Sequence, residues 1–412
     1  MLTRVKLSNF KAIKQFDVYL KPLTVFVGEN GTGKSSVLQS IAILKRSLGQ
    51  SQILTDLPSQ NLGLHTSLIS NGEQSCKITL EGDVKLDSKH VLIKDAKFGC
   101  TVGFDYNGFN LYESWVEFID KKITNKWERA GEGQIKPGIL ELPGVRFTLS
   151  FTNEIGYLFG LLAFATSTPT QADRQYLTDV QSELRKLSNV LVNILRDFYV
   201  VPPMRGLAEP FFSQSQPVGD YSLRAGTSNL GASLASNLLQ WLDNMDTISE
   251  WEQRIVGAGV KVKVMPPYQV FIQNPKKQTD FVNEGFGSNQ LLFTLERLVN
   301  SPANSVIAIE EPEIHLHPKA SFELGYVLCE AISKFNKQVI VTTHDPNFIS
   351  GIVSASMEKK LDPGQIALIS FQRKDNAVEA VPSKIADDGT IEGPALQSFI
   401  ESSIDQLKRL TK

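Results

Sequence analysis

Residues 305–318 read SVIAIEEPEIHLHP, and three glutamates with two histidines behind an apolar run could form a transition-metal site, an acid/base pair or something else. Zinc wants three or four protein ligands, and this stretch offers only two of the chain's five histidines, so a metal cluster is a poor fit. A second stretch, GENGTGKS at residues 28–35, follows the apolar run LTVFV. A glycine, four residues and Gly-Lys-Ser after a strand and before a helix make a phosphate-binding loop. Gly28, Gly31 and Gly33 let backbone amides turn inward around phosphates, and the helix N-terminus adds its dipole. Lys34 reaches the β and γ oxygens of a nucleoside triphosphate, and Ser35 can ligate Mg²⁺. The nucleotide-binding set is Gly28, Asn30, Gly31, Thr32, Gly33, Lys34, Ser35 and Ser36.

A phosphate loop needs a carboxylate at a neighbouring strand end to hold the metal, and a base to position the attacking water. VIAIEE supplies both. Glu310 is expected as the Mg²⁺ partner with Ser35, and Glu311 as the base, because consecutive strand residues face opposite ways. A third apolar strand, QVIVTT, delivers His344 as a candidate γ-phosphate sensor. The catalytic set is therefore Glu311, His344 and Lys34, with ATP as ligand and Mg²⁺ as cofactor. Glu313, His315 and His317 are expected in the loop that follows, with Pro318 starting the next helix.

The elements that must position these residues follow from pattern. Val37, Leu38, Ile41 and Leu44 recur at the three-and-four spacing of an amphipathic helix over 35–46. Residues 76–151 break into strand-like pieces that predict an antiparallel meander, and 174–197 predicts a charged amphipathic helix. The apolar run IGYLFGLLAFA at 155–165 is too short to span a bilayer and reads as a buried helix. Two helical stretches are expected within 227–257. From VKVKV at 260–264 onward, strands alternate with helices, the mark of a largely parallel sheet, with a last helical run over 394–410. The expected domains are an ATPase core of 1–50 and 258–412, a β-rich lobe of 51–170 and a helical insertion of 171–257.

A chain of 412 residues with 42% hydrophobic content can bury a sizeable core, and a net charge of −2 argues against binding by bulk charge. The first fifty residues nevertheless hold eight basic side chains (Arg4, Lys6, Lys11, Lys14, Lys21, Lys34, Lys45, Arg46) against Asp17 and Glu29, a local patch that leaves DNA possible. Three separated cysteines and no signal-peptide pattern point to a cytoplasmic protein without a membrane partner.

GENGTGKS, IEEPEIHLHP, TTH and the opening VKLSNFKAI together resemble the ABC-type ATPase heads of the SMC, RecF and OLD group, nearest to single-chain ATPases of OLD-like or anti-phage systems. FYVVPPMR carries the match in the middle of the chain. The resemblance implies an α/β P-loop head with a mixed sheet, an antiparallel β lobe and a helical insertion. It also implies a homodimer or higher homo-oligomer through ATP-sandwiched heads, in which a signature loop completes the partner's site and the loop of Glu313, His315 and His317 crosses to the second copy. Here that loop is Gly287, Ser288, Asn289 and Gln290, just before a helix, with Asn289 replacing the family's serine. Glu310 replaces an aspartate common in the family, which implies a magnesium contact through water. OLD nucleases add a C-terminal Toprim domain, and the 68 residues after His344 are too few for one, so a separate effector, nuclease or toxin, is expected to do any cutting. Asp387 and Asp388 are expected in a loop. A RecF-like DNA-maintenance ATPase is the alternative, and an ABC transporter subunit a more distant one.

Overall fold

The structure is a computed structural model. It describes residues 1–47, 64–85, 95–118, 121–127, 133–136, 138–142, 145–151, 161–165, 193–203, 242–263, 268–274, 277–280, 285–374, 377–386 and 388–396, with isolated positions between. In chain order the elements are β1 (Leu2–Phe10), β2 (Ile13–Tyr19), β3 (Leu23–Val27), α1 (Lys34–Ser47), β4 (Ser75–Lys85), β5 (Asp95–Asp105), β6 (Gly108–Phe118), β7 (Lys121–Trp127), β8 (Gly133–Lys136), β9 (Gly138–Leu142), β10 (Val145–Phe151), β11 (Leu161–Ala165), β12 (Phe198–Val201) and β13 (Phe211–Phe212). There follow α2 (Met245–Val256), β14 (Gly259–Lys263), β15 (Tyr268–Asn274), β16 (Lys277–Asp280), α3 (Phe286–Asn300), β17 (Val306–Glu310), α4 (Pro318–Phe335), β18 (Gln338–Thr343), α5 (Pro346–Met357), β19 (Ile366–Lys374), β20 (Ala377–Ile385) and β21 (Ile391–Glu392). Two compact units result, one of Met1–Leu20, Gln39–Leu57 and Leu62–Arg196, the other of Lys21–Leu38, Pro58–Asn61 and Asp197–Lys412.

The first unit is built on an antiparallel sheet in the order β2-β1-β4-β5-β6-β7-β8, and β4 to β8 form the expected meander. Alternation explains it: Cys76, Ile78, Leu80, Gly82 and Val84 on β4 are buried while the residues between them are more exposed. The strands within residues 1–20 pair into this sheet. Three of the eight basic side chains form ion pairs within this unit. Arg4 pairs with Asp17 at 2.6 Å, Lys6 with Glu81 at 2.8 Å and Lys14 with Glu73 at 2.9 Å, and Lys11 donates to Gln39 at 2.5 Å. The run expected as a buried helix is corrected: residues 161–165 are a strand, β11, antiparallel to β10, and 155–160 lie outside the described residues. A short apolar run fits either element, and pairing with VRFTLSF decides this one. The described residues between 178 and 196 are helical, as expected.

The second unit holds a sheet in the order β12-β17-β18-β3-β19-β20-β21, whose first five strands run parallel. Every residue of β3, β17 and β18 is buried, which is why these strands read as unbroken apolar runs rather than alternating ones. VKVKV does not join this sheet: as β14 it pairs antiparallel with β15, because a hairpin partner lies a few residues downstream. Helix α4 starts where His317 Nδ1 accepts the Lys319 amide and Pro318 occupies the first turn, and it ends at Asn336 in the left-handed region. It meets α5 backbone to backbone. A Cβ at Gly325 would lie 2.2 Å from the Phe348 carbonyl oxygen, and one at Gly351 would lie 2.0 Å from that of Phe322. Among the described residues no helix is long and apolar enough to cross a membrane. The expected run over 394–410 is described only to residue 396, where it is a short 3-10 turn.

Candidate functional site

The parallel register brings three strand ends to one edge. Glu310 of β17 stands opposite Thr342 of β18, and Thr343 stands opposite Val27 of β3. The segments that leave these ends carry the phosphate loop, Glu311 and His344, and ligands of open parallel sheets bind outside such carboxyl ends.

In the phosphate loop, Gly28, Gly31 and Gly33 take φ of +152°, +76° and +95°. Gly28 has no alternative: a Cβ there would lie 2.7 Å from the Phe371 carbonyl oxygen. Thr32 Oγ1 donates to the Glu29 carbonyl at 2.8 Å and fixes the loop's interior, while Asn30 and Gly31 are exposed at its rim. Lys34 is buried, and its Nζ donates to the carbonyls of Gly28 (2.6 Å) and Glu29 (2.7 Å). Burial lowers the Lys34 pKa, and the carboxylates of Glu311, Glu313 and Glu29 partly restore it. The ammonium therefore feels the carboxylates of the β17 end. Ser35 and Ser36, half-buried, lie in the first turn of α1, where the Ser36 amide donates to Gly33. A recess of about 230 Å³ beside the loop is lined by Gly28, Glu29, Thr32, Phe371, Gln372 and Arg373. Positive-φ glycines, a desolvated ammonium and a helix start together fit a polyphosphate. Ser35 and Glu310 are the residues with the oxygen chemistry to hold Mg²⁺.

Glu310 is buried at the end of β17, and Glu311 follows with φ +44°, its amide donating to the Thr342 carbonyl at 3.0 Å. A left-handed glutamate is uncommon, and such backbone clusters at functional positions. The turn aims the two carboxylates differently: Glu311 is partly exposed, and its Oε1 lies 3.5 Å from His344 Nδ1. His344 itself is exposed. Glu313 lies on the turn that leaves β17. It is 6% exposed, accepts the Thr343 hydroxyl at 2.5 Å and the His344 amide at 3.3 Å, and so anchors the histidine from inside its own chain. Burial raises its pKa. His317 ends the loop as the N-cap of α4, and His315, exposed with φ +62°, lies on the same loop.

The signature residues also shift. Helix α3 begins at Phe286, so Gly287, Ser288, Asn289 and Gln290 lie inside its first turns, not before it. Gly287 and Ser288 are half-buried, while Asn289 and Gln290 are 6% exposed, leaving Ser288 the more accessible donor of the pair Ser288 and Asn289. Arg205 was not singled out by the sequence beyond its place in FYVVPPMR. It is buried, and its guanidinium donates to the carbonyls of Pro202 (2.7 Å), Gln290 (2.9 Å), Glu310 (3.2 Å) and Pro312 (3.3 Å). Asp388 sits in a tight turn in which its carboxylate accepts the Thr390 amide at 2.9 Å; Asp387 lies outside the described residues.

A family model described as an AAA ATPase domain matches residues 1–134 and 227–349. The chain is 22% identical over 356 residues to an OLD nuclease of Thermus scotoductus (strain ATCC 700910 / SA-01), covering 84% of this chain and 60% of that protein. It is 36% identical over 85 residues to the DNA replication and repair protein RecF of Paenarthrobacter aurescens (strain TC1), covering 19% of this chain and 21% of that one. The chain thus spans less than two thirds of either relative. Among solved structures, an SMC head bound to the C-winged helix domain of ScpA matches with a TM-score of 0.52 at 12% identity, over 93% of this chain and 98% of that chain. That likeness is one of fold.

Proposed function

The chain belongs to the family of AAA ATPase domains, and from that premise we propose that it hydrolyses Mg²⁺-ATP at the β3, β17 and β18 strand ends and that two copies close around the nucleotide. The observation that carries this is the strand register, which sets Lys34, Glu310, Glu311 and His344 along one sheet edge, with Lys34 in the field of Glu311. Lys34 leaves its loop carbonyls for the β and γ oxygens. Glu311 accepts a proton from a water whose oxygen bonds to the γ-phosphorus as the bond to the bridging oxygen breaks, releasing ADP and phosphate. His344 donates to the γ-phosphate, held in place by Glu313. Mg²⁺, held by Ser35 and Glu310, would neutralise charge on the phosphate oxygens. The α3 start, with Gly287, Ser288, Asn289 and Gln290, would complete the site of the second copy.

On this reading the output goes to a separate cytoplasmic effector, a nuclease or toxin, plausible in phage defence by likeness to OLD-type systems. Glu311→Gln is the test. It should bind ATP, lose turnover by about 10²–10⁴-fold, and accumulate as an ATP-dependent dimer on a sizing column. Turnover at the native rate would remove Glu311 as the base, and mass spectrometry of what the trapped form retains would identify the effector. Cleavage of DNA by the purified chain would overturn the separate-effector reading. The RecF-like alternative draws on the basic N-terminal segment, and the pairing of Arg4, Lys6 and Lys14 with acids counts against it.

A further inference from the structure

Arg205 joins two structures that the proposed mechanism assigns to different nucleotide sites. Its Nε donates to Gln290, in the first turns of α3, at 2.9 Å. Its Nη1 and Nη2 donate to Glu310 and Pro312, on the turn bearing this chain's own catalytic carboxylates, at 3.2 and 3.3 Å. A second contact reinforces the first: Gly287 lies so close to the turn that a Cβ would stand 2.8 Å from the His315 carbonyl oxygen. The guanidinium is 5% exposed, and close-packed interiors pass a displacement on rather than absorb it.

We propose that Arg205 is a positioning residue that makes the α3 start and the 310–315 turn of one copy move as a unit, so that closure of one ATP site sets the geometry of the other. The proposal rests on the reading that two copies sandwich ATP. Lysine cannot replace it, because an ammonium is a single point of donation and cannot span carbonyls on separate elements as a planar fork does.

The test compares Glu311→Gln with the double variant Arg205→Lys/Glu311→Gln, using a fluorescent ATP analogue for binding and sedimentation for association. Arg205→Lys should leave analogue affinity within about threefold while weakening ATP-dependent association at least about tenfold, the scale of coupling between sites. In the Glu311-intact background it should lower kcat with KM little changed. Association of the double variant as strong as its parent overturns the coupling alone. Failure of the parent to associate overturns the two-copy reading and the coupling with it. If Arg205→Lys does not fold, Arg205→Gln, whose side-chain amide reaches fewer of the carbonyls, takes its place: weakened association with native analogue affinity supports the proposal, and unchanged association overturns it.

Discussion

Replacing Glu313 with alanine is expected to damage catalysis far more than stability, and the geometry sets both sizes. Its carboxyl accepts two hydrogen bonds, from the Thr343 hydroxyl at 2.5 Å and the His344 amide at 3.3 Å. Bonds to a charged group contribute about 1.5–3 kcal/mol each, the longer one at the weak end. Against this, Oε2 has no partner among the described residues, and a buried unsatisfied oxygen costs about 1–3 kcal/mol. The second term offsets part of the first, leaving a net loss of roughly 0–3.5 kcal/mol. His344 has no such compensation. Its Nδ1 stands 3.5 Å from Glu311 Oε1, and a misplacement of about 1 Å at a reacting group lowers rates on the order of 10²-fold. Phosphate release should therefore fall about 10²-fold in Glu313→Ala and recover to within several-fold in Glu313→Gln, which keeps a carbonyl acceptor. The pH dependence gives a second readout. Burial raises the folded-state pKa above the usual 4.5, so the folded chain keeps a proton that the unfolded chain has lost. Wild type should lose stability relative to the alanine variant as pH rises from 4.5, the difference levelling off above the folded-state value. Urea melts across that range measure it. Native turnover in Glu313→Ala would refute the anchoring argument.

Glu252 on α2 is fully buried, and neither carboxyl oxygen has a partner among the described residues; burial holds its pKa well above the usual range. Glu252→Met should stabilise the chain by roughly 1–3 kcal/mol. The gain should be larger at pH 8 than at pH 5, because only the unfolded chain releases the proton as pH rises; a lower denaturation midpoint in the variant would refute the assignment. Gly351→Ala should destabilise by at least about 3 kcal/mol, because α4 and α5 must part to admit the methyl group. A loss below about 1 kcal/mol in chemical denaturation would mean that the helices slide freely.

The phosphate loop, Glu310, Glu311 and His344 were legible because each sits within a few residues of the apolar strand that delivers it. Fully buried parallel strands write themselves as VFV, VIAI and VIV, and the chemistry follows at once. What failed did so where a local pattern admits two partners. LLAFA satisfies helix and strand alike, and VKVKV suits either a parallel sheet or the hairpin it forms with β15. Gly287 to Gln290 were expected just before a helix because a glycine reads as loop, whereas Gly287 is in the helix, in close approach to His315.

Charge and long-range contact mark the harder limit, since a count of residues says nothing about which ones face each other. The N-terminal segment looks cationic by composition, yet the antiparallel register sets Arg4 across from Glu81 on one side and Tyr19 on the other, and Lys6 reaches the same Glu81. These half-exposed pairs contribute little stability each, about 0–1 kcal/mol, and they neutralise Arg4, Lys6 and Lys14 among the eight basic side chains of the segment. Arg205 shows the converse. A lone arginine behind two prolines looks like turn chemistry, yet three of its four carbonyl acceptors lie 85 to 107 residues away in sequence. Only the fold turns it into the link between the α3 start and the turn that carries Glu310 and Glu311. If ATP closes two copies together, the residue that decides whether their sites act in concert is one that touches no nucleotide.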